Sequence, residues 1–200
     1  VYKRGKVESL KYFNSKGELI TVVTEKGNSK IYENKYKSGK IQATIEIQCG
    51  NYVGNLVKRF PDGSLFYSYP LMVGNKHGVY KYYHLSGELA LTGMFVNGSE
   101  EGNWKWFYEN GKLDNTGKYT SGLRDSVWTF YHPNGKISST QHYRDNKRDG
   151  LVRYFGLDGT PVLEKTYESG NLILFRAQNA SGKFGEWVSF TGEQAITAYY

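Results

Sequence analysis

Cysteine is nearly missing from this chain. One residue of 200, Cys49, carries a thiol, so no internal disulfide holds the fold together and no CxxC metal knuckle exists. Cys49 sits beside a turn signal at Gly50 and reads as a small structural side chain. Proline is scarce as well, four residues against 24 glycines, while 16% of the chain is aromatic. That balance excludes general disorder, which goes with few aromatics. No apolar run approaches the roughly 18 residues a membrane-spanning helix needs. HExxH, the EF-hand loop, GxxxxGK[ST] and GxGxxG are all absent, which removes sequence support for a metal or a phosphate-cradling loop. No nucleophile elbow or triad spacing singles out a serine. Neither enzyme nor cofactor is expected.

What the chain does hold is 18 Tyr, 10 Phe and 4 Trp, residues that favour strands, with glycines to punctuate them. Its net charge is +7, and the excess is uneven: residues 1 to 50 carry ten basic and five acidic side chains. Lys3, Arg4 and Lys11 are the candidate contacts for an anionic surface, although no dense basic run occurs. Nucleic-acid binding is disfavoured, because the aromatics beside the lysines are the ones a sheet must bury, and the net charge is modest. The chain opens on Val1, as expected of a processed or trimmed product, a soluble protein either retained in the cytoplasm or exported after loss of a signal peptide.

Internal periodicity dominates the sequence. Gly63, Gly87, Gly111, Gly135 and Gly159 follow one another at 24-residue intervals, each after Asp, Ser or Asn, and Gly39 and Gly17 extend the series backwards. Other positions keep the same phase. Eleven residues after each turn glycine stand Asn28, Gly50, Gly74, Gly98, Gly122, Asn146 and Gly170, and nine before stand Gly54, Gly78, Gly102, Ser126 and Gly150. Only residues tolerant of a left-handed backbone fill the first of these series. Seven before come Tyr32, Leu56, Tyr80, Trp104, Trp128 and Val152; five before, Tyr82, Trp106, Phe130 and Tyr154.

Inside one unit the period is two. Trp104, Trp106 and Tyr108 share a face and Lys105 takes the other, so the segment is a strand. Asn110-Gly111 then reads as a two-residue hairpin, and Thr120-Ser121-Gly122 as the connection returning the chain to the next unit. A lone hairpin is marginal in water, so the units must stack. The fold class is therefore all-β: an elongated repeat protein of stacked β-hairpins, a single-layer or solenoid-like twisted antiparallel sheet. One domain over residues 1–200 is expected, with regular units over 1–170 and a degenerate capping unit over 171–200 whose turn near Gly182 is irregular and whose last strand runs over 194–200. Gly63, Gly87, Gly111, Gly135 and Gly159 with Trp104, Trp106 and Trp128 form its structural repeat, and loss of Trp106 should cost about 3–5 kcal/mol.

Phe95-Val96-Asn97-Gly98, Gly102-Asn103-Trp104 and Phe107-Tyr108-Glu109-Asn110-Gly111-Lys112-Leu113 together resemble the MORN repeat, in the longer bacterial variant of the YwqK family antitoxins. Gly74-Asn75-Lys76-His77-Gly78 and Asn146-Lys147-Arg148-Asp149-Gly150 carry the same aromatic–Gly–loop–Gly theme over about residues 10 to 170. The chain departs from it where Asn75, Ser99 and Leu123 replace the usual loop lysine and Ser126 the later glycine. The resemblance implies stacked MORN-type hairpins and, from the antitoxin label, a protein that binds and neutralises another.

The leading expectation is a non-enzymatic protein-interaction module whose partner is another protein. A second aromatic series, Tyr83, Phe107, Tyr131 and Phe155, lies opposite Trp104 and Trp106, and as an exposed stripe it would be the partner site. The alternative is a module for anionic lipid or a cell-surface glycan, with a membrane as partner. The oligomeric state stays open, since sheet ends leave strand edges to be paired or protected. His84 and His132 occupy equivalent positions two units apart, too distant to share a metal, and read as aromatic substitutes. Asp125 and Asp149, with Glu101 in phase, form an acidic edge read as solvated loop residues.

Overall fold

The computed structural model describes residues 9–190 and the strand segments Tyr2–Lys3 and Lys6–Val7. Expected elements over 194–200, and the side chains of Lys3 and Arg4, lie outside the described residues.

Turn chemistry builds the fold. All seven in-phase glycines adopt left-handed backbone, with φ from 76° at Gly111 to 98° at Gly63. At a representative turn the His132 N–H donates to Lys136 O at 2.8 Å, while the Gly135 N–H donates to His132 O at 2.8 Å. This is a three-residue loop, a type I turn closed by a glycine bulge. The two-residue hairpin expected at Asn110-Gly111 is therefore corrected: Tyr108 N–H reaches Lys112 O at 2.8 Å across Glu109-Asn110-Gly111. Only the third loop residue needs positive φ, and glycine supplies it. Gly182 has the same pattern, its N–H on Asn179 O and Asn179 N–H on Lys183 O, both at 2.9 Å. The turn read as irregular is thus a regular one placed a residue early.

Two-residue turns do occur, at the other end of each hairpin. Ser121 and Gly122 have φ of 51° and 80°, and Asn97 and Gly98 have 49° and 91°, the type I′ signature. Thr120-Ser121-Gly122 is consequently a second hairpin turn, and each unit is a plain antiparallel meander. Positive φ also recurs at Gly54, Gly78, Gly102, Ser126 and Gly150, where strands bulge. Around Ser126 the register runs from Lys118↔Asp125 to Thr116↔Thr129, which leaves three residues opposite Gly117.

The chain divides into two compact units near residue 100. The first contains β1 (Tyr2–Lys3), β2 (Lys6–Val7), β3 (Ser9–Phe13), β4 (Leu19–Lys26), β5 (Ser29–Lys35), β6 (Ile41–Gln48), β7 (Asn51–Arg59), β8 (Leu65–Met72), β9 (Asn75–Lys76), β10 (Gly78–Tyr83) and β11 (Leu89–Val96). From β3 to β8 each strand pairs antiparallel with the next, β8 also pairs with β9 and β10, and β10 pairs with β11. The second contains most of β12 (Ser99–Phe107), then β13 (Leu113–Thr120), β14 (Leu123–Tyr131), β15 (Ile137–Arg144), β16 (Lys147–Phe155), β17 (Pro161–Glu168), β18 (Asn171–Ala177) and β19 (Val188–Ser189), again paired in sequence. Among the described residues neither unit closes on itself, so each is an open sheet of repeating hairpins. No described helix is long and apolar enough to cross a membrane.

One face of the second unit is lined by interlocking rings. Tyr119 meets Trp104 edge-on at 5.8 Å between centroids and Trp128 at 5.1 Å, and Trp128 meets Tyr143 at 6.1 Å. Trp104 and Trp128 are 3% exposed and Val152 is 0%. Trp106 is only half-buried, so the two flanking tryptophans, not Trp106, form the most protected part of the layer. In the first unit Tyr80 bridges Tyr69 and Phe95, each at 5.7 Å. Trp128 lies against the backbone of Gly117, where a Cβ would fall 2.1 Å from its ring.

Gly117→Ala should therefore destabilise the protein by about 3 kcal/mol or more, since the buried indole has no free volume to move into; a thermal melt matching wild type would refute the contact. Val73 offers the opposite case. It is β-branched, 64% exposed and held at φ 50°, a conformation that costs such a residue about 1–2 kcal/mol. Val73→Asn should raise the melting temperature by a few degrees.

Candidate binding edge

The two turn series create two sheet edges with different chemistry. Along the three-loop edge, side chains tie each repeat to the next. Tyr36 Oη donates to Arg59 O at 2.7 Å, Tyr108 Oη to Tyr131 O at 2.6 Å, and His132 Nε2 stands 3.0 Å from Phe155 O. A carbonyl only accepts, so Nε2 carries the proton there. Lys40 and Lys136 add Nζ donors to Asp62 O and Asp158 O, each at 2.7 Å.

The second aromatic series lies on this edge. Tyr83, Phe107, Tyr131 and Phe155 end β10, β12, β14 and β16, each beside a register shift. All four are half-buried, neither a covered second layer nor an open stripe. Lys11 is exposed on β3, opposite Val22. The acidic series is engaged: Glu101 accepts the Ser121 N–H at 2.9 Å, and Asp149 accepts the Ser169 N–H at 3.4 Å and pairs with Arg144 at 3.1 Å. Among the described residues no cluster of three or more His, Cys, Asp or Glu is arranged to hold a metal.

On the type I′ edge another in-phase series appears, thirteen residues after the turn glycines: Lys76, Glu100, Arg124 and Arg148. Three of them lie over aromatic rings. Lys76 Nζ is 4.6 Å from the Phe95 centroid, the Arg124 guanidinium 4.4 Å from Tyr143, and that of Arg148 5.4 Å from Tyr167. Their backbones are fixed, because Asn146 N–H donates to Arg124 O at 3.0 Å and Gly170 N–H to Arg148 O at 2.8 Å.

A polar network joins the two arginines. Arg124 Nη1 donates to Tyr143 Oη at 3.3 Å, Tyr143 Oη donates to Gln141 Oε1 at 2.9 Å, and Arg148 Nε donates to the same Oε1 at 3.1 Å. Arg124 Nε adds a longer contact to Asn146 Oδ1 at 3.4 Å. Gln141 is buried, and its Nε2 donates to buried Ser139 Oγ at 3.2 Å. Burial works against the Arg148 charge, but the Tyr143 hydroxyl and the neighbouring phenols of Tyr143, Tyr154 and Tyr167 hold its pKa above the ordinary value. An open depression at this edge is lined by Arg124, Tyr143, Asn146, Lys147, Arg148 and Gly170.

Sequence reasoning missed this cluster. No periodic signal marked it: six residues after the turn glycines stand Val23, Ile45, Tyr69, Gly93, Gly117, Gln141 and Lys165, a position with no fixed residue type. A buried amide in an aromatic column needs partners, and the two arginines and Tyr143 supply them.

Three stretches of the chain, 76–97, 100–120 and 124–145, match the family model described as MORN repeat variant. Their starts step by the same interval as the turn glycines, and together they span well under half of the chain. No curated protein is significantly similar in sequence. Among solved structures, a point mutant of S. aureus TarM in complex with Fondaparinux, alpha-GlcNAc-glycerol and UDP is 14% identical with a TM-score of 0.37, over 47% of this chain and 19% of that one. A second structure of TarM is 11% identical with a TM-score of 0.26, over 63% of this chain and 21% of its own. The chain thus spans about a fifth of the length of either.

The other arginines of the second unit serve the fold. Glu164 is 4% exposed and receives Arg153 Nε and Arg176 Nε at 2.7 Å each. Arg176 is in turn stacked on Phe184 at 4.9 Å and Trp187 at 4.7 Å, which pins the segment following β18. Burial pushes the Glu164 pKa up, but the two guanidinium hydrogen bonds outweigh it and hold the carboxyl below its usual range. A depressed pKa gives stability that is full above the unfolded value, about 4.3, and is lost as pH falls through the folded one. Wild type should accordingly lose stability more steeply than Glu164→Gln between about pH 4 and pH 2, as followed by urea midpoints; parallel slopes would remove the clamp.

Proposed function

We propose that this chain is a non-catalytic protein-interaction module that receives an acidic surface of a partner protein on the type I′ edge of its second unit. One contrast supports the reading. Arg144, Arg153 and Arg176 are each paired with a carboxylate, whereas among the described residues Arg124 and Arg148 are oriented by amides, a phenol and rings. Neutral partners fix a guanidinium in space and leave its charge uncompensated. An arginine held that way is pre-organised for an external carboxylate or phosphate, and its side-chain entropy is already spent. The Tyr83, Phe107, Tyr131 and Phe155 series, being half-buried, is the weaker candidate for contact. Antitoxin or immunity action is the form this activity takes if the partner is a toxic protein.

The test is affinity capture with wild type, the double variant Arg124→Gln plus Arg148→Gln, and Lys105→Gln, a lysine outside the cluster. Partner recovery should fall at least tenfold in the double variant, given about 1.5–3 kcal/mol per charged hydrogen bond, and stay unchanged in Lys105→Gln. It should also weaken with added salt. Equal recovery by all three proteins would sink this reading, as would enrichment of anionic liposomes without any protein.

A further inference from the structure

We propose that Arg124, Arg148 and Lys147, with the Tyr143 hydroxyl between the arginines, form a site for a doubly charged phosphoryl group borne by a side chain of the partner protein. The inference rests on the acidic-partner reading and specifies its anchor. Arg124 and Arg148 come from equivalent positions of consecutive repeats, yet a chain of three hydrogen bonds through Tyr143 and Gln141 connects their guanidinium groups. Lys147 is exposed, stands beside Arg148 in sequence and lines the rim of the same depression, where it also borders a neighbouring hollow lined by Arg144, Asp145, Asp149 and Ser169. Two guanidinium groups therefore border one open hollow, with a lysine at its rim.

The geometry selects among anions. A guanidinium has five N–H donors, and the network uses at most two from either arginine. One carboxylate offers two oxygens in a plane and saturates a single fork. A phosphoryl group carries about −1.5 to −2 charge and three acceptor oxygens arranged as a tripod, which accommodates donors from both arginines at once, with the rim lysine adding its charge nearby. Gln141 and Ser139 also matter, because the groups that hold Arg148 from behind, an amide backed by a hydroxyl, are neutral.

A membrane surface fits less well. Exposed Asp145 and Glu168 belong to the turns that flank the hollow, and Asp125 and Asp149 follow the two arginines in sequence. These carboxylates repel an extended anionic plane, while a single phosphorylated side chain passes between them.

The experiment titrates the full chain with three probes at fixed ionic strength, reading tryptophan fluorescence, since Arg124 lies 5.7 Å from the Trp128 ring, and calorimetry. The probes are inorganic phosphate, a Gly/Ser-flanked phosphoserine peptide, and the same peptide unphosphorylated. The phosphopeptide should saturate and bind at least tenfold more tightly than its unphosphorylated twin, and inorganic phosphate should compete with it. Arg124→Gln plus Arg148→Gln should abolish binding. Because that variant disturbs a buried network, Lys147→Gln serves as the second: the side chain is exposed, the fold should be intact by circular dichroism, and phosphopeptide affinity should fall severalfold. Equal affinity for the two peptides overturns the phosphoryl site, as does binding confined to vesicles containing a phosphoinositide. If neither phosphate probe binds while partner capture still requires both arginines, this inference fails and the acidic-partner reading stands. If capture ignores the arginines, both fall.

Discussion

A single-layer sheet has no second layer to cover its apolar face, so its rings must cover one another. That constraint governs this protein. From β10 to β18 each strand carries at least one aromatic, whereas β4 and β6 carry aliphatic residues instead, and edge-on contacts such as Tyr119 between Trp104 and Trp128 bury ring area that water would otherwise wet. The close approach of Trp128 to Gly117 shows how tight the arrangement is: a residue without a side chain provides the seat, and the neighbouring indole fills it. A repeat cut from the array loses the rings on both sides, which is why hairpins of this kind exist in series.

Keeping the rings aligned requires strict control of register, and the backbone supplies it through alternation of turn types. Type I′ turns at one edge and glycine-bulged three-residue loops at the other return the chain with side chains on the same face each time. Between them, the bulges at Ser126 and its equivalents absorb the extra residues of each longer strand. Hydrogen bonds that skip a whole hairpin, from Tyr108 to Tyr131 O or from Gly170 N–H to Arg148 O, then lock consecutive repeats at both edges.

Much of this was legible in the sequence because left-handed backbone leaves a compositional trace. The phased Gly, Asn and Ser positions marked the hairpin turns and the bulges from Gly54 to Gly150, but not the register shift at Ile173 between β17 and β18, and the two-residue period marked the strands. Turn type was harder to read: Asn-Gly occurs in two-residue and three-residue loops alike, and the distinction lies in the hydrogen bonds of residues with no compositional preference. The depth of burial also escaped, since Trp104 and Trp106 look equivalent in a pattern, yet only one is covered. At the type I′ edge, Arg124 and Arg148 lay in phase with Lys76 but were hidden by Glu100 between them. Their link through Tyr143 and Gln141 depends on side-chain reach, which spacing does not encode.

Gln141 shows where such a protein can acquire a specific site. An array stabilised by identical neighbours tolerates variation at turn tips but resists a polar group within the ring column, because a buried amide without partners costs more than any single ring contact returns. Here the amide is bonded on both sides, to Ser139 through its nitrogen and to Tyr143 and Arg148 through its oxygen. The arginines thereby gain a fixed orientation with no carboxylate partner among the described residues, an arrangement that an all-aromatic column does not provide. The regular repeats supply rigidity, and the irregular one directs a charge outward. A polar residue inside such a sheet is accordingly tolerated where, as at Gln141, both its amide oxygen and its amide nitrogen find partners.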